Sequence, residues 1–223
     1  MLGEQMLTTK IIELKKLLMA EASLVEKMVS MAFIGLNDDT QACFDDVLVF
    51  ERRVNQLEVE IGNKCTTTIA LHQPAAKDLR TILMIYMINN DLERLGDQAV
   101  NIAESVANLS FNPIQGQMAE LKEMKNSALK MLKESLDAFT NENTELAHKV
   151  CEDDNIVDDY ERSITNELIK LMKANPQHIE EYLHIIRIAT NLERIADLST
   201  NIAESTIYFV DGIVIKHHQH DDQ

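Results

Sequence analysis

A fourteen-residue segment occurs twice in this chain, one hundred residues apart. The first copy, LERLGDQAVNIAES, begins at Leu92, and the second, LERIADLSTNIAES, begins at Leu192. Nine of the fourteen positions are identical. Upstream of each copy, VNQL at Val54 aligns with VDDY at Val157, where the offset changes only from 100 to 103. A near-constant offset over two separate segments predicts two equivalent structural units that pack with quasi-twofold symmetry.

Five breaks divide the chain into six segments of helical character. Three breaks contain the prolines, Pro74, Pro113 and Pro176, and the other two are polar clusters that begin at Asn37 and Asn141. Between the breaks, apolar residues recur at intervals of three and four, which is the pattern of an amphipathic helix. Short connections between helices of about 25 to 35 residues favour antiparallel neighbours. The sequence therefore predicts an all-α fold, two tandem antiparallel three-helix bundles made of six long helices.

The predicted domain boundaries follow from the repeat and the breaks. Residues 1–112 are expected to form the first three-helix unit, residues 113–215 the second, and residues 216–223 a flexible tail with His217, His218 and His220. A histidine cluster can chelate a transition metal, but we assign no function to this one because chain ends are commonly mobile.

The composition is strongly acidic, which limits the classes of partner. A formal net charge of −16 disfavours nucleic acid and anionic membrane surfaces as direct partners, because both need a positively charged footprint. The three cysteines, Cys43, Cys65 and Cys151, are widely spaced and form no CxxC pair. We interpret them as small buried residues in a reducing compartment. No apolar run reaches the length of a membrane span, and the first residues lack the charge pattern of a secretory signal, so we expect a cytoplasmic protein.

On a helical wheel, each repeated segment has one apolar face and one acidic face. Like charges at a spacing of four repel by about 0.2 to 0.5 kcal/mol, so the acidic face needs a compensating partner. A solvated surface is one interpretation, but it constrains only charge, whereas both copies keep the acid type, the amide and the spacing. A multivalent cation would offset the repulsion and prefers such oxygen ligands. The residues are Glu93, Asp97 and Asn101 in the first copy and Glu193, Asp197 and Asn201 in the second.

A second helix is expected to complete each site, because one helix supplies only part of a coordination shell. The second segment offers Glu51 and Asn55, and the fifth segment offers Asp154 and Asp158 at equivalent positions. Two facing pairs in each unit predict a polynuclear, oxygen-rich cation site.

These motifs resemble those of the PhoU family, the phosphate-signalling regulators of bacteria and archaea. The resemblance covers the whole chain in order and is carried by ERLGD and ERIAD, each followed by NIAE, and by PAAKDLR at residues 74–80. It implies two tandem three-helix bundles, whose acidic pairs bind multinuclear iron or zinc clusters in several members, with magnesium or manganese proposed for others. The ligands that it implies are Glu51, Asn55, Glu93, Asp97 and Asn101 in the first unit and Asp154, Asp158, Glu193, Asp197 and Asn201 in the second.

Asn55 departs from the acid-xxx-Asp form of the family motif. It removes one negative charge from the first site, so that site is expected to bind more weakly or to hold fewer metal ions. The second site keeps the full pattern with Asp154 and Asp158.

The resemblance also implies a regulatory function without catalysis. PhoU-like proteins restrain the phosphate-responsive sensor histidine kinase while phosphate is plentiful, together with the phosphate ABC transporter and its ATPase subunit. We therefore expect a cytoplasmic adaptor that forms a homodimer, binds no nucleic acid and meets the membrane only through its partners.

Two alternative functions stay open at this point. Two Glu-x-x-His pairs match the element that carboxylate-bridged di-iron enzymes use on their helices. These pairs are Glu181 with His184 and Glu145 with His148. The positions of the first unit that correspond to the former pair are Thr81 and Met84, so the duplication does not extend to this motif. The second alternative is a metal-free structural adaptor whose acids contact a basic partner.

An arginine follows the repeated glutamate in both copies. Arg94 and Arg194 are expected to pair with Asp97 and Asp197, three residues further on, for a contribution of about 0.2 to 0.5 kcal/mol each. Docking of a partner is the less favoured interpretation of these two side chains.

Overall fold

The computed structural model describes residues 2–36, 40–109 and 115–211. Within these ranges the chain forms six α-helices, one short 3₁₀ turn at Pro176–His178 and no strand. The helices are α1 (Leu2–Ile34), α2 (Thr40–His72), α3 (Ala76–Ala107), α4 (Gln115–Asn141), α5 (Thr144–Ala174) and α6 (Ile179–Asp211). The predicted all-α fold is confirmed, and the lengths of 27 to 33 residues agree with the sequence pattern.

Within the described residues, polar residues and prolines separate α2 from α3, α4 from α5 and α5 from α6 where breaks were predicted. Asn143 caps α5, because its Oδ1 accepts a hydrogen bond from the backbone nitrogen of Leu146 at 3.0 Å. Pro176 begins the 3₁₀ turn before α6, a position that suits its fixed φ and missing N–H group. Pro74 lies between α2 and α3, where no backbone N–H donor is needed. Because the connections on either side of Pro74, Asn143 and Pro176 are short, the helices that they join run antiparallel.

The apolar face of the repeated segment forms the core, as predicted. Leu92, Leu95 and Ile102 of α3 are fully buried, and so are Leu192 and Ile195 of α6. Burial of one such side chain contributes about 1.5 to 3 kcal/mol. This face therefore holds each repeated helix against its neighbours.

The six helices pack as two equivalent groups of three. In the first unit α1, α2 and α3 contact one another, and in the second α4, α5 and α6 do the same. Helices α3 and α6, which carry the repeated segment, pack against each other across the two units. Ion pairs between described residues also join the units: Lys77 Nζ lies 2.7 Å from Glu142 Oε2, and Arg187 Nη2 lies 3.6 Å from Glu104 Oε2. The predicted quasi-twofold arrangement is confirmed.

Some sequence predictions fall beyond the described part of the chain. The break at residues 37–39, the junction at residues 111–113 and the histidine tail at residues 216–223 lie outside the described residues. The exact domain limits, 1–112 and 113–215, therefore stay predictions. None of the helices in the described ranges has an apolar stretch long enough to cross a membrane.

The cysteines agree only in part with the sequence interpretation. None of the three forms a disulfide. Cys65 is buried in α2, as expected, whereas Cys43 and Cys151 are half-buried. The interpretation of all three as core residues was therefore right for one of them, because helix periodicity alone places a residue near a face and not at a depth.

Gly96 of α3 should accept a methyl group. A Cβ atom there would lie 3.4 Å from Val54 Cγ1, an ordinary van der Waals distance, and the second unit carries Ala196 at the equivalent position. Because glycine is the poorer helix former, we expect Gly96→Ala to raise the free energy of unfolding by about 0.5 to 1 kcal/mol, measured by urea denaturation. The reverse substitution, Ala196→Gly, should lower it by a similar amount. A destabilised Gly96→Ala variant would contradict this packing.

Candidate metal sites

The acidic residues of the first unit face one another across α2 and α3. The pKa of Glu93 on α3 lies above its ordinary value because of burial and the charges of Asp97, Glu58 and Glu51. The pKa of Asp97 is raised by burial and by Glu51 of α2. Glu51, Glu58 and Glu93 are half-buried and Asp97 is exposed, so the group lies along the surface of the seam between the helices. The predicted facing of the second and third segments is therefore present in the structure.

The second unit repeats this arrangement between α5 and α6. Burial, together with the charges of Asp197, Asp158, Glu161 and Asp154 in that order, raises the pKa of Glu193 to about 7. All five side chains are half-buried. Because four negative charges act on one carboxyl group, this cluster carries a strong excess of negative charge.

Asn55 replaces one of these charges in the first unit with a hydrogen bond. Its Nδ2 donates to Glu51 Oε1 at 2.6 Å, one turn away on the same helix. The contact fixes the Glu51 carboxylate and leaves the Asn55 amide carbonyl as a further oxygen donor. In the second unit the equivalent pair, Asp154 and Asp158, carries two like charges at the same spacing.

Exchange of the Asn55 amide for a carboxylate should lower the stability of the metal-free protein, while it adds one negative charge to the first cluster. In the presence of a chelator, Asn55→Asp should lower the free energy of unfolding by roughly 1 kcal/mol, because a hydrogen bond to a charged group is replaced by repulsion. Urea denaturation measures the change. Asp158→Asn makes the reverse exchange in the second unit and should stabilise the protein by a similar amount. Equal stability of Asn55→Asp and the unsubstituted protein would show that the hydrogen bond contributes nothing.

Sequence reasoning missed Glu58 and Glu161. They occupy equivalent positions of α2 and α5 at the offset of 103, and each lies seven residues after the first member of the predicted pair on its helix, Glu51 or Asp154. Seven residues are close to two helical turns, so these side chains share the face of the predicted pairs. The spacing of seven residues, which occurs in both units, was the signal that could have identified them.

A carboxyl group of α1 also adjoins the first cluster and was not predicted. Glu21 is fully buried, and neither of its carboxylate oxygens has a hydrogen-bond partner among the described residues. Burial, followed by the charges of Glu58 and Glu93, raises its pKa to about 9. Residues of all three helices of the first unit therefore contribute to this cluster.

Asn101 and Asn201 lie one turn beyond Asp97 and Asp197 on the same helices. Both are half-buried. Both therefore lie on the acidic face that the helical wheel predicted. Their role as ligands stays a prediction.

The oxygen donors of the clusters suit a cation, although their side chains do not converge on one point. Over residues 2–36, 40–109 and 115–211, no three His, Cys, Asp or Glu side chains stand close enough to hold a metal ion. The clusters supply carboxylate and amide oxygens, which suit hard and borderline cations. Rotation of these side chains about their χ angles would be needed to bring the oxygens to a common point. Burial first, and then the neighbouring carboxylates, raise the pKa values of Glu93, Asp97 and Glu193.

The expected pairing of Arg94 with Asp97 was wrong. Arg94 Nη1 lies 3.3 Å from Asp91 Oδ1, three residues earlier in α3. Helical side chains lean toward the N-terminus of their helix, so a long side chain reaches the preceding turn more readily than the following one. Arg94 therefore turns toward the half-buried Asp91.

The Glu-x-x-His pairs do not surround a common core. Glu145 and His148 are exposed near the start of α5. Glu181 and His184 are half-buried on α6, where Glu181 Oε2 lies 3.9 Å from Nδ1 of His178. A di-iron bundle needs its ligands to project inward from facing helices, and the exposed pair does not meet this condition.

Two equivalent three-helix units, each with an acidic cluster between its second and third helices, define a class of duplicated helical proteins. The sequence pattern of the PhoU domain matches residues 18–106 and 121–206, which lie within the two units. The chain belongs to the PhoU family.

Relatives at about one third identity match most of this chain. The phosphate-specific transport system accessory protein PhoU homolog of Clostridium acetobutylicum is 33% identical over 90% of this chain and 92% of its own length. The protein of the same name from Aquifex aeolicus is 35% identical over 92% of this chain and 93% of its own. Both matches span the two units.

Solved structures of the family share the fold. Crystalline PhoU from Pseudomonas aeruginosa is 34% identical and superposes with a TM-score of 0.86 over 92% of this chain and 99% of its own. The phosphate transport system regulatory protein PhoU from Streptococcus pneumoniae is 28% identical, with a TM-score of 0.86 over 94% and 99% of the two chains.

Proposed function

We propose that this protein binds multivalent cations at its two acidic clusters and regulates phosphate uptake and phosphate-starvation signalling without catalysing a reaction. The observation that supports the cation sites most directly is in the second cluster, where burial and the charges of four neighbouring carboxylates raise the pKa of Glu193 to about 7. Iron or zinc clusters are the ions that we propose, with magnesium or manganese as alternatives.

Each cluster would hold its cations between two helices of one unit. In the first unit we propose the α2 and α3 side chains as ligands, and in the second those of α5 and α6. A bound cation supplies the positive charge that offsets the repulsion among the carboxylates. The ligands are Glu51, Asn55, Glu58, Glu93 and Asp97 in one cluster and Asp154, Asp158, Glu161, Glu193 and Asp197 in the other, with Asn101 and Asn201 one turn away. These residues would tie the paired helices together and stiffen each bundle.

The partners that we propose follow from the relatives. Those from Clostridium acetobutylicum and Aquifex aeolicus are named accessory proteins of the phosphate-specific transport system. We extend this to the present chain: on the cytoplasmic side it would restrain the phosphate-responsive sensor histidine kinase while phosphate is plentiful and act on the phosphate ABC transporter with its ATPase subunit. Its net charge of −16 favours basic docking surfaces, since electrostatic complementarity sets specificity and association rate. A homodimer is the assembly that we propose.

Deletion of the gene tests the regulatory function. In high phosphate, transcription of phosphate-responsive genes should rise in the deletion strain, and the unsubstituted protein should restore repression. Unchanged repression after deletion would refute the regulatory function.

Complementation of the same strain tests the cation sites. A variant in which Glu93 and Glu193 are glutamine, and Asp97 and Asp197 are asparagine, should fail to restore repression. If it restores repression fully and is produced at the same level, a metal-free adaptor replaces the cation-dependent regulator.

A further inference from the structure

Glu21 lies in the hydrophobic interior of the first unit. It is fully buried on α1 beside the buried residues Leu18, Ala22 and Val25. Neither carboxylate oxygen accepts or donates a hydrogen bond among the described residues. An unpartnered carboxyl group in such surroundings opposes folding, because it loses its contacts with water and gains none in return. Its presence therefore calls for an explanation other than packing.

The second unit shows that the fold does not need a carboxyl group at this position. The buried residues of α1 correspond to buried residues of α4 at an offset of 103, as in the fifth segment. The corresponding pairs are Leu18 with Leu121, Val25 with Ala128, Met28 with Met131 and Val29 with Leu132. At the same offset, the position of the second unit that corresponds to Glu21 is occupied by the fully buried Met124. A methionine fills the equivalent space without an unpartnered polar group.

Glu21 lies within electrostatic reach of the acidic cluster of its own unit. The charges that act on it belong to Glu58 of α2 and Glu93 of α3, the two helices that α1 contacts in the first bundle. The charge of Glu58 also acts on Glu93. Glu21 therefore lies behind the seam, on the buried side of the cluster.

The number of carboxyl groups supports the same conclusion. Without Glu21 the first cluster has four, because Asn55 replaces the aspartate of the second. The second cluster has five. The five are Asp154, Asp158, Glu161, Glu193 and Asp197. Glu21 restores the fifth carboxyl group to the first cluster, from α1 and from the opposite, buried side.

We propose that Glu21 is a cation ligand that α1 adds to the first cluster, so that the first site is formed by three helices and the second by two. This inference rests on the proposed cation binding at the first cluster. A ligand from the core places the cation deeper than the side chains of α2 and α3 alone would hold it. The two sites of one molecule then differ in depth and in exchange with solvent, although they descend from the same repeat.

The test measures cation affinity at the first cluster alone. Mn²⁺ is a suitable probe because it prefers carboxylate and carbonyl oxygens. In a protein whose second cluster is removed by Glu193→Gln and Asp197→Asn, Mn²⁺ is titrated by calorimetry before and after Glu21→Met. We expect the affinity to fall by at least about 10-fold, as a lower bound from the effect of removing groups outside the coordination shell. The EPR spectrum of bound Mn²⁺ should change as well, since one coordinating oxygen is lost.

A matched control separates ligation from a general change of charge. Glu26 is a half-buried glutamate on the same helix, but the charges that act on it are those of Lys133 and Asp137 of α4. Glu26→Gln should leave Mn²⁺ affinity unchanged. Equal affinity of the parent and Glu21→Met, with circular dichroism showing both folded, would overturn the role of Glu21 while leaving the cation site in place. If the parent itself binds no Mn²⁺, the proposed cation binding at the first cluster fails and the inference fails with it.

Discussion

Replacement of Glu193 by glutamine together with Asp197 by asparagine should lower the cation affinity of the second cluster by at least about 100-fold. Loss of a single group outside a coordination shell costs 10- to 100-fold, and this double substitution removes two of the proposed ligands themselves. It also removes two of the five charges that make the cluster attract cations. The side chains keep their size, so the packing of α6 against α5 should be retained.

Elemental analysis of the purified protein measures this effect directly. The protein is prepared without a histidine tag and without residues 216–223, whose histidines would bind transition metals independently. A double substitution of two exposed acids on the same helix, Glu180→Gln with Asp211→Asn, gives the same change in net charge and should leave the metal content unchanged. Undiminished metal content in the Glu193 and Asp197 variant would refute the assignment of the second cluster.

Glu21→Met should stabilise the metal-free protein by on the order of 3 kcal/mol at pH 7. The pKa of Glu21 is raised from 4.5 to about 9 in the folded state by burial, Glu58 and Glu93. At neutral pH the unfolded chain releases this proton and the folded protein keeps it, which favours unfolding. Methionine has no proton to release and fills the same space in the second unit as Met124.

The pH dependence identifies the cause of this stabilisation. A folded-state pKa above the unfolded value means that Glu21 costs stability progressively as pH rises from about 4.5 toward about 9. The difference between Glu21→Met and the unsubstituted protein should therefore be smallest near pH 4.5 and grow up to pH 9. Urea denaturation in the presence of a chelator measures it at each pH. Glu21→Gln removes the ionisation but keeps an unpartnered polar group, so it should show the same pH trend with a smaller gain. A difference that does not vary with pH would contradict the buried, protonated state of Glu21.

Glu21 should therefore lower the stability of the metal-free protein and raise the cation affinity of the first cluster. The substitution that relieves the metal-free core is the one expected to weaken cation binding at the first cluster. Functional sites commonly keep groups that destabilise the isolated fold, because those groups are satisfied only when the ligand is present. The destabilisation that Glu21 causes in the metal-free protein is what we expect of a ligand whose carboxylate is satisfied only when a cation is bound.

Local periodicity made the fold predictable from the sequence. The local signals are apolar residues at intervals of three and four, polar caps such as Asn143, and Pro176. They act within a few residues along the chain, so their effects can be predicted without knowledge of tertiary contacts. The duplicated segment added the quasi-twofold relation of α3 and α6. The same local geometry placed Glu93 and Asp97 on one face of a helix.

Only the tertiary structure decided what lies opposite that face. The register between neighbouring helices brought Glu58 beside Glu93, and the rotation of α1 turned Glu21 toward both rather than toward solvent. In sequence, Glu21 is one acid among many in an amphipathic helix, and nothing within the neighbouring turns distinguishes a buried acid from an exposed one. Helical spacing determines which side chains of one helix share a face, whereas the partners of that face depend on how separate helices pack, which is set by contacts between residues far apart in the chain.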